Sequence, residues 1–599
     1  MNRRRFLKNC ALSIGTFSLS ACANNKSLSV TQKPQETRPN VILIVTDDQG
    51  WGDLGFNGNL NISTPNVDKL AQGGVVFDRF YVCPVCSPTR AELLTGRYHV
   101  RGGVYSTSKG GERLDLDETT VAEVFKKAGY ATAAYGKWHN GMQPPYHPNS
   151  RGFDDYYGFC SGHWGDYFSP MLEHNGAIVK GKGFVIDDFT EHGLRFIEEN
   201  KDKPFFLYLP FNTPHSPMQV PDKWWDKYKN KEIKQKHRQA KKEDIEFTRT
   251  ALAMCANIDW NVGRIAQKVE QAGLGENTII VYMSDNGPNS WRWNGGMKGK
   301  KGSTDEGGVR SPMIMKWQGK LKAGKVVEEI AAAIDLLPTL AALAQIKTDL
   351  DKPLDGVSLK PLLLGDKSKW QDRLIFSYWN KKTSLRSQKF RLDNNGRLFN
   401  MENDPGQRVD ISARKPEVAA KLQKAKTAWE KNVLSELSRD KRPITIGCPG
   451  FEYTQVPARD GHGHGNIKRS SRHPNCSYFT NWIAVDDKIT WDVEALADGD
   501  FEIEVYYTCP KEDVGAVFEL SFGGEKIRGT IRQPHDPPVT GMENNRVKGT
   551  DSYVKDFKPL KLGTLHLKKG KGTLELKALE MPGSQVMDFR LLMFKNVAL

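Results

Sequence analysis

VILIVTDDQG, residues 41–50, sets five consecutive aliphatic residues directly against Thr46, Asp47 and Asp48. An unbroken apolar run of that length leaves no face for water, so it predicts a strand covered on both sides, as in a parallel sheet. The chain repeats the theme. TPNVDKLAQGG (64–74) predicts a capped helix ending in glycine, and TTVAEVFKKAGYATAAYG (119–136) a helix followed by a strand. The stretches 187–211 and 244–283 again place an amphipathic helix before an apolar run. Alternation of this kind predicts an α/β fold, a mostly parallel sheet sandwiched by helices.

Each run is followed by residues that carry chemistry. Asp47 and Asp48 follow the first, Lys137 and His139 the second, His215 the third (in NTPH), and Asp285 and Asn286 the fourth (in SDNG). Open α/β sheets bind ligands beyond the carboxyl ends of their strands, so four such ends predict one site. Asp47, Asp48, Asp285 and Asn286 are hard oxygen ligands suited to Ca²⁺ or Mg²⁺. Their alternative use is in helix caps and Asx turns. Neighbouring strand residues point to opposite faces, so Asp47 and Asp48 share an ion only if the strand has already turned; Gly50 and Gly52 are the candidates for that turn.

Between the first two strands lies YVCPVCSPTRAELLTGR (81–97). Pro88 suits the first position of a helix capped by Ser87 and ended by Gly96. Cys86 then stands at a helix N-terminus, which favours anions and lowers thiol pKa values, with Arg90 one turn on. Cys83 sits farther back and is expected to be a packed thiol. A CxxC pair at a strand–helix junction is also how a thioredoxin-like redox site looks, but that small fold leaves the acids and histidines unused.

CSPTRAELLTGR (86–97) resembles the signature of the type I sulfatases, within the alkaline-phosphatase-like superfamily. TDDQGWGDLG, GYATAAYGKWHNG, NTPHSP, SDNG, GKKGSTDEGGVRSP and LFNMENDPGQ (398–407) recur in the same order, so the resemblance spans roughly residues 40 to 435. It implies that Cys86 is oxidised by a maturation enzyme in the cytoplasm to formylglycine (3-oxoalanine), whose hydrate is the nucleophile. It also implies one Ca²⁺ held by Asp47, Asp48, Asp285, Asn286 and residue 86, with Mg²⁺ as the substitute. Arg90 and Lys137 would hold the hydrate, His139 would take its proton, and His215 with Lys301 would hold sulfate and protonate the leaving oxygen. Lys301 is preferred to Lys298 and Lys300 for its spacing to Glu306-Gly-Gly. Lys137 and His139 are expected on one extended segment, presented to the same side. Asn140 and Asp305 depart from the pattern, the first in packing and the second in the local loop. The implied activity is hydrolysis of sulfate esters. Its alternatives are a phosphodiesterase or phosphonate monoester hydrolase of the same superfamily and a non-catalytic glycan-binding surface lipoprotein.

The catalytic region is expected over 39–365 and a small α+β subdomain over 366–440, with SRDKRPITIGCPG (438–450) reading as linker. From 445 to 599 short runs alternate with period two between Gly and Asp turns, which predicts a β-sandwich similar to galactose-binding-like modules. Glycan binding and plain packing are both open for it. His163, Trp164, Tyr167 and Trp291 to Trp293 are candidates for sugar subsites, and GHGHGNIKRSSRH (461–473) for reading an anionic sugar through Arg469 and Arg472. The pair His462 and His464 lacks further ligands at ordinary spacing.

Residues 1–22 read as a leader: Arg3-Arg4 with Phe6-Leu7-Lys8, a short apolar stretch, then LSAC ending at Cys22, the lipidation site of a bacterial lipobox, with a linker over 23–38. Export to the periplasm or outer-membrane surface follows. The formal charge of +15 suits an acidic partner. No nucleic-acid-binding motif is present. A sulfated polysaccharide fits that compartment, for instance a marine algal one such as ulvan or carrageenan. Cys448, Cys476 and Cys509 are free to form a disulfide there, without a pairing that sequence can name.

Overall fold

The Asn40–Thr46 strand alternates its side chains between two cores. Ile42 and Ile44 enter one, with Phe189 and Ile197 of helix Val185–Glu199 and Leu252 and Val262 of helix Ile245–Gln271. Val41, Leu43 and Val45 enter the other, with Leu93 and Leu94 of helix Cys86–Thr95 and Leu336 and Leu340 of helix Leu336–Leu343. That is why the apolar run is unbroken. The computed structural model describes residues 38–599 apart from 369, 438–441, 548 and 550. The leader and Cys22 lie outside these residues.

Ten strands form the central sheet, in the order Lys325–Val327, Val75–Phe77, Met313–Trp317, Thr278–Ser284, Asn40–Thr46, Phe205–Pro210, Ala131–Lys137, Asp155–Phe159, Met171–His174 and Ala177–Lys180. Its middle is parallel, Asn40–Thr46 pairing in register with Phe205–Pro210 on one side and Thr278–Ser284 on the other. Both ends turn antiparallel through Met313–Trp317 and Met171–His174. The sheet is therefore mixed, with the expected parallel strands at its centre. Thr46, Lys137, Pro210 and Ser284 all end at one edge.

A four-stranded antiparallel sheet, Ile375–Trp379, Lys382–Arg386, Phe390–Leu392 and Leu398–Asn400, packs on helix Pro416–Val433. Beyond it two six-stranded sheets face each other, one antiparallel and one antiparallel except at its Ile444–Ile446 edge. Trp491, Leu520 and Leu576 from one and Ile503, Val505 and Leu592 from the other fill the space between. The stretch read as linker already contains a strand, Ile444–Ile446, paired in parallel with Lys488–Ala495. All seven cysteines of the described residues are buried free thiols, so Cys448, Cys476 and Cys509 form no disulfide.

The sandwich is fixed to the central-sheet region by buried charge. Arg459 pairs with Glu112 at 2.8 Å and donates to Ser161 Oγ at 3.0 Å. Removing one partner of a buried pair strands the other charge. Arg459→Ala is expected to cost about 3 kcal/mol, read as a lowered Tm with a smaller loss for Arg459→Lys.

Candidate active site

Helix Cys86–Thr95 starts two residues before the predicted position. Val85 occupies the cap without a side-chain bond, Cys86 is the first helical residue and Pro88 the third, so Ser87 is no cap. Gly96 ends the helix as predicted, with φ 70°. Cys86 is buried on the floor of a cavity of about 480 Å³ that His139, His163, His215, Lys301 and Trp379 also border. Cys83 is the packed thiol. Burial, then Glu92, push its pKa well above the ordinary range, and Glu92 is itself pushed up to about 8 by the same burial. No redox pair is formed.

The strand ends deliver their acids as expected, by a different turn. Asp48 itself takes φ 66°, and Gly50 and Gly52 are instead close-packed: a Cβ at Gly52 would lie 2.5 Å from the Trp293 carbonyl. Ligand atoms of Asp47, Asp285 and Cys86 lie within 4.8 Å of one another, as do those of Asp47, Asp48 and His215. Each acid has a cation. Lys137 Nζ is 2.5 Å from Asp47 Oδ2, Lys301 Nζ 2.6 Å from Asp48 Oδ1, and Arg90 Nη2 2.9 Å from Asp285 Oδ2. Lys300 donates elsewhere, to the Asn289 carbonyl, and Lys298 pairs with Asp305 and Asp393, so Lys301 is the lysine that enters the cavity.

Burial works to raise the pKa of Asp48, but Lys301 and His215 outweigh it and hold the group below the carboxylate range. Asp285 goes the other way, raised well above that range by burial and by Asp47. Three oxygens remain buried without a partner: Asp47 Oδ1, Asp48 Oδ2 and Asn286 Oδ1. Orphaned oxygens are costly unless something accepts their lone pairs. A hard cation with six to eight oxygen ligands fits this donor set, and a soft one does not.

The histidines are held by backbone carbonyls. Lys137 ends the strand Ala131–Lys137, while His139 takes φ 65°, so the two do not share an extended segment; the chain turns between them and both still reach the site. His139 Nε2 lies 2.9 Å from the Thr107 carbonyl, which only accepts, so Nε2 carries the proton. Nδ1 is then the bare nitrogen, buried and unpartnered. Burial and Lys137 hold this imidazole well below its ordinary pKa, and therefore neutral. His215 Nδ1 donates to the Ser216 carbonyl at 2.7 Å, leaving Nε2 3.7 Å from Asp48 Oδ2.

Asn140 is buried and donates to the Ser87 carbonyl at 3.3 Å, a packing role as expected. Of the aromatic candidates only His163 borders this cavity. Trp164 stacks on Phe159, Tyr167 donates to the Ser216 carbonyl, and Trp293 packs on Trp51. Sequence reasoning missed Trp379, Asn475 and Asp551 on the cavity wall. The 461–473 segment does reach the cavity, through His473. Arg469 is consumed by the carbonyls of Ala458 and Gly461.

The Sulfatase family model matches residues 39–346, and the N-sulphoglucosamine sulphohydrolase C-terminal model matches 300–426. N-acetylgalactosamine-6-sulfatase of Mus musculus is 33% identical over 376 residues, 57% of this chain and 68% of that protein. Arylsulfatase A of Homo sapiens is 34% identical over 378 residues, 56% of this chain and 70% of that protein. The crystal structure of Ps i-CgsB in complex with k-i-k-neocarrahexaose is 32% identical, with a TM-score of 0.61 over 68% of this chain and 95% of that one. The chain belongs to the sulfatase family and is a sulfuric ester hydrolase.

Proposed function

We propose that this sulfatase removes sulfate from a sulfated polysaccharide or its oligosaccharides, using Cys86 as formylglycine and one Ca²⁺ held by Asp47, Asp48, Asp285, Asn286 and residue 86. The observation that carries the reading is the meeting of Cys86 with two carboxylates within 4.8 Å, inside a ring of cations. The hydrated aldehyde supplies a hydroxyl for attack on sulfur and a second through which sulfate is later expelled, and the ion offsets negative charge there. Arg90 and Lys137 fix Asp285 and Asp47 around residue 86. The bare Nδ1 of His139 is the proton acceptor. Lys301 stays charged beside Asp48 and holds the sulfate with His215, whose Nε2, once protonated, gives its proton to the leaving oxygen.

A substrate longer than one sugar is supported by a second cavity of about 550 Å³ that shares Lys301. Arg238, Lys242, Lys300, Lys382 and Arg408 line it, with Lys242 and Lys300 over the ring of Trp291. Such a groove suits a polymer with repeated anionic groups and an aromatic stacking surface. Raising NaCl from about 50 to about 500 mM is expected to raise KM for a sulfated oligosaccharide severalfold more than KM for 4-nitrophenyl sulfate. We also infer export and lipid anchoring at Cys22 from Arg3-Arg4 and LSAC.

Free sulfate released from a panel of algal and animal sulfated glycans, beside phosphate diesters, tests the reading. Sulfated saccharides are expected to be the fastest substrates; diesters cleaved faster than every sulfate ester would contradict it.

A further inference from the structure

One wall of the catalytic cavity comes from beyond the family-like part of the chain. The two family matches end at 346 and 426, whereas His473, Asn475, Asp551 and Ser552 follow them and border the same cavity as Cys86, His215 and Lys301. Their placement is built into the packing. Ser161 Oγ donates to the Asn475 carbonyl at 2.6 Å, and Asn475 Nδ2 donates at 3.1 Å to the Thr107 carbonyl that also orients His139. A Cβ at Gly162 would lie 2.2 Å from His139 Nε2 and 2.7 Å from Asn475 Nδ2, so the glycine lets the two side chains approach. Ser552 Oγ bonds Ser471 Oγ at 2.9 Å and the His473 carbonyl at 3.1 Å, tying the two wall segments together.

Lys301 borders the cavity with Cys86, and the C-terminal region adds Asp551, close to His215, together with the amide of Asn475 and the imidazole of His473. Asn475 Oδ1 is buried without a partner. Asp551 Oδ2 accepts from Asn545 Nδ2 at 3.0 Å, so the carboxylate is held in place from the side of the sandwich. Neutral acceptors, one carboxylate and the nearby ring of Trp379 match the hydroxyls and the apolar face of a sugar, and do not match a second sulfate.

Resting on the reading that this cavity holds the sulfate ester, we propose that the C-terminal β-sandwich is the sugar-recognition wall of the active site. His473, Asn475 and Asp551 hydrogen-bond the hydroxyls of the sugar ring whose sulfate lies against Lys301 and His215. Asp551 also excludes rings that present a carboxylate or a second sulfate to it, because two anions facing each other in a partly desolvated pocket repel. Asn475 has a second task as a positioning residue for His139, through the shared Thr107 carbonyl.

The test compares 4-nitrophenyl sulfate, which has no sugar, with the panel saccharide that the wild-type enzyme desulfates fastest. For His473→Ala and Asp551→Ala, kcat/KM on the saccharide is expected to fall at least about tenfold further than on the aryl sulfate, mainly through KM. Asp551→Asn is expected to shift preference at least about tenfold toward saccharides with a second anionic group. Parallel losses on both substrates, or no loss on either, would overturn the wall. A wild-type enzyme that desulfates 4-nitrophenyl sulfate and no saccharide would overturn the polysaccharide reading beneath it.

Discussion

Cys86→Ala abolishes sulfate release, with kcat reduced by at least about 10⁴-fold, the scale on which removal of a covalent nucleophile is felt. The thiol is small and sits at the first turn of the helix, so the folding cost is only about 1 kcal/mol. Tm is therefore expected to move by no more than a few degrees, and the loss is chemical. Cys83→Ala is the matched control. Its sulfur is packed against Glu92, away from the orphaned oxygens, and kcat should stay within a factor of a few. Comparable losses in both variants would mean that the CxxC pair acts as a unit, which the structure contradicts.

Chelation has the second large effect. Asp47 Oδ1, Asp48 Oδ2 and Asn286 Oδ1 are buried without partners, so the folded chain carries an unmet demand for a cation. Stripping divalent ions from the holoenzyme is expected to lower kcat/KM by about 100-fold, equivalent to about 3 kcal/mol of transition-state stabilisation. Ca²⁺ should restore it and raise Tm, because an ion that binds only the folded state stabilises that state. Asn286→Ala removes one neutral oxygen and the Nδ2 hydrogen bond to Asp48 Oδ1 and leaves Lys137, Lys301 and Arg90 paired, so it should raise the Ca²⁺ concentration giving half-maximal activity without unfolding the protein. Full activity after exhaustive chelation, with Tm unchanged by added Ca²⁺, would contradict the metal assignment.

The parallel core of the sheet was legible because five consecutive apolar residues in the Asn40–Thr46 strand have only one physical reading, burial on both faces. The site was legible for a related reason, since the residues after four strands must share one edge. What could not be read was the local turning of the backbone. Asp48 makes the turn that alternation demanded, at its own positive φ rather than at Gly50 or Gly52, while the positive φ of His139 breaks the extended segment expected to carry it with Lys137. The start of the helix at Cys86 was misplaced because Ser87-Pro88 imitates a cap, while Val85 caps without a side-chain bond. The wall residues Asn475 and Asp551 lay beyond reach. Asn475 meets Thr107 across 368 positions and Arg459 meets Glu112 across 347, and no local pattern encodes such pairs. One signal was present, the Gly- and His-rich run ending at His473, but it pointed to its arginines.

Activity depends on the conversion of one thiol. Active enzyme produced with its maturation machinery should yield a peptide spanning residue 86 that is about 18 Da lighter than the cysteine form and reactive toward hydrazines as an aldehyde is. The modified fraction should rise in proportion to kcat across preparations. Fully active protein carrying only unmodified cysteine at position 86 would contradict it.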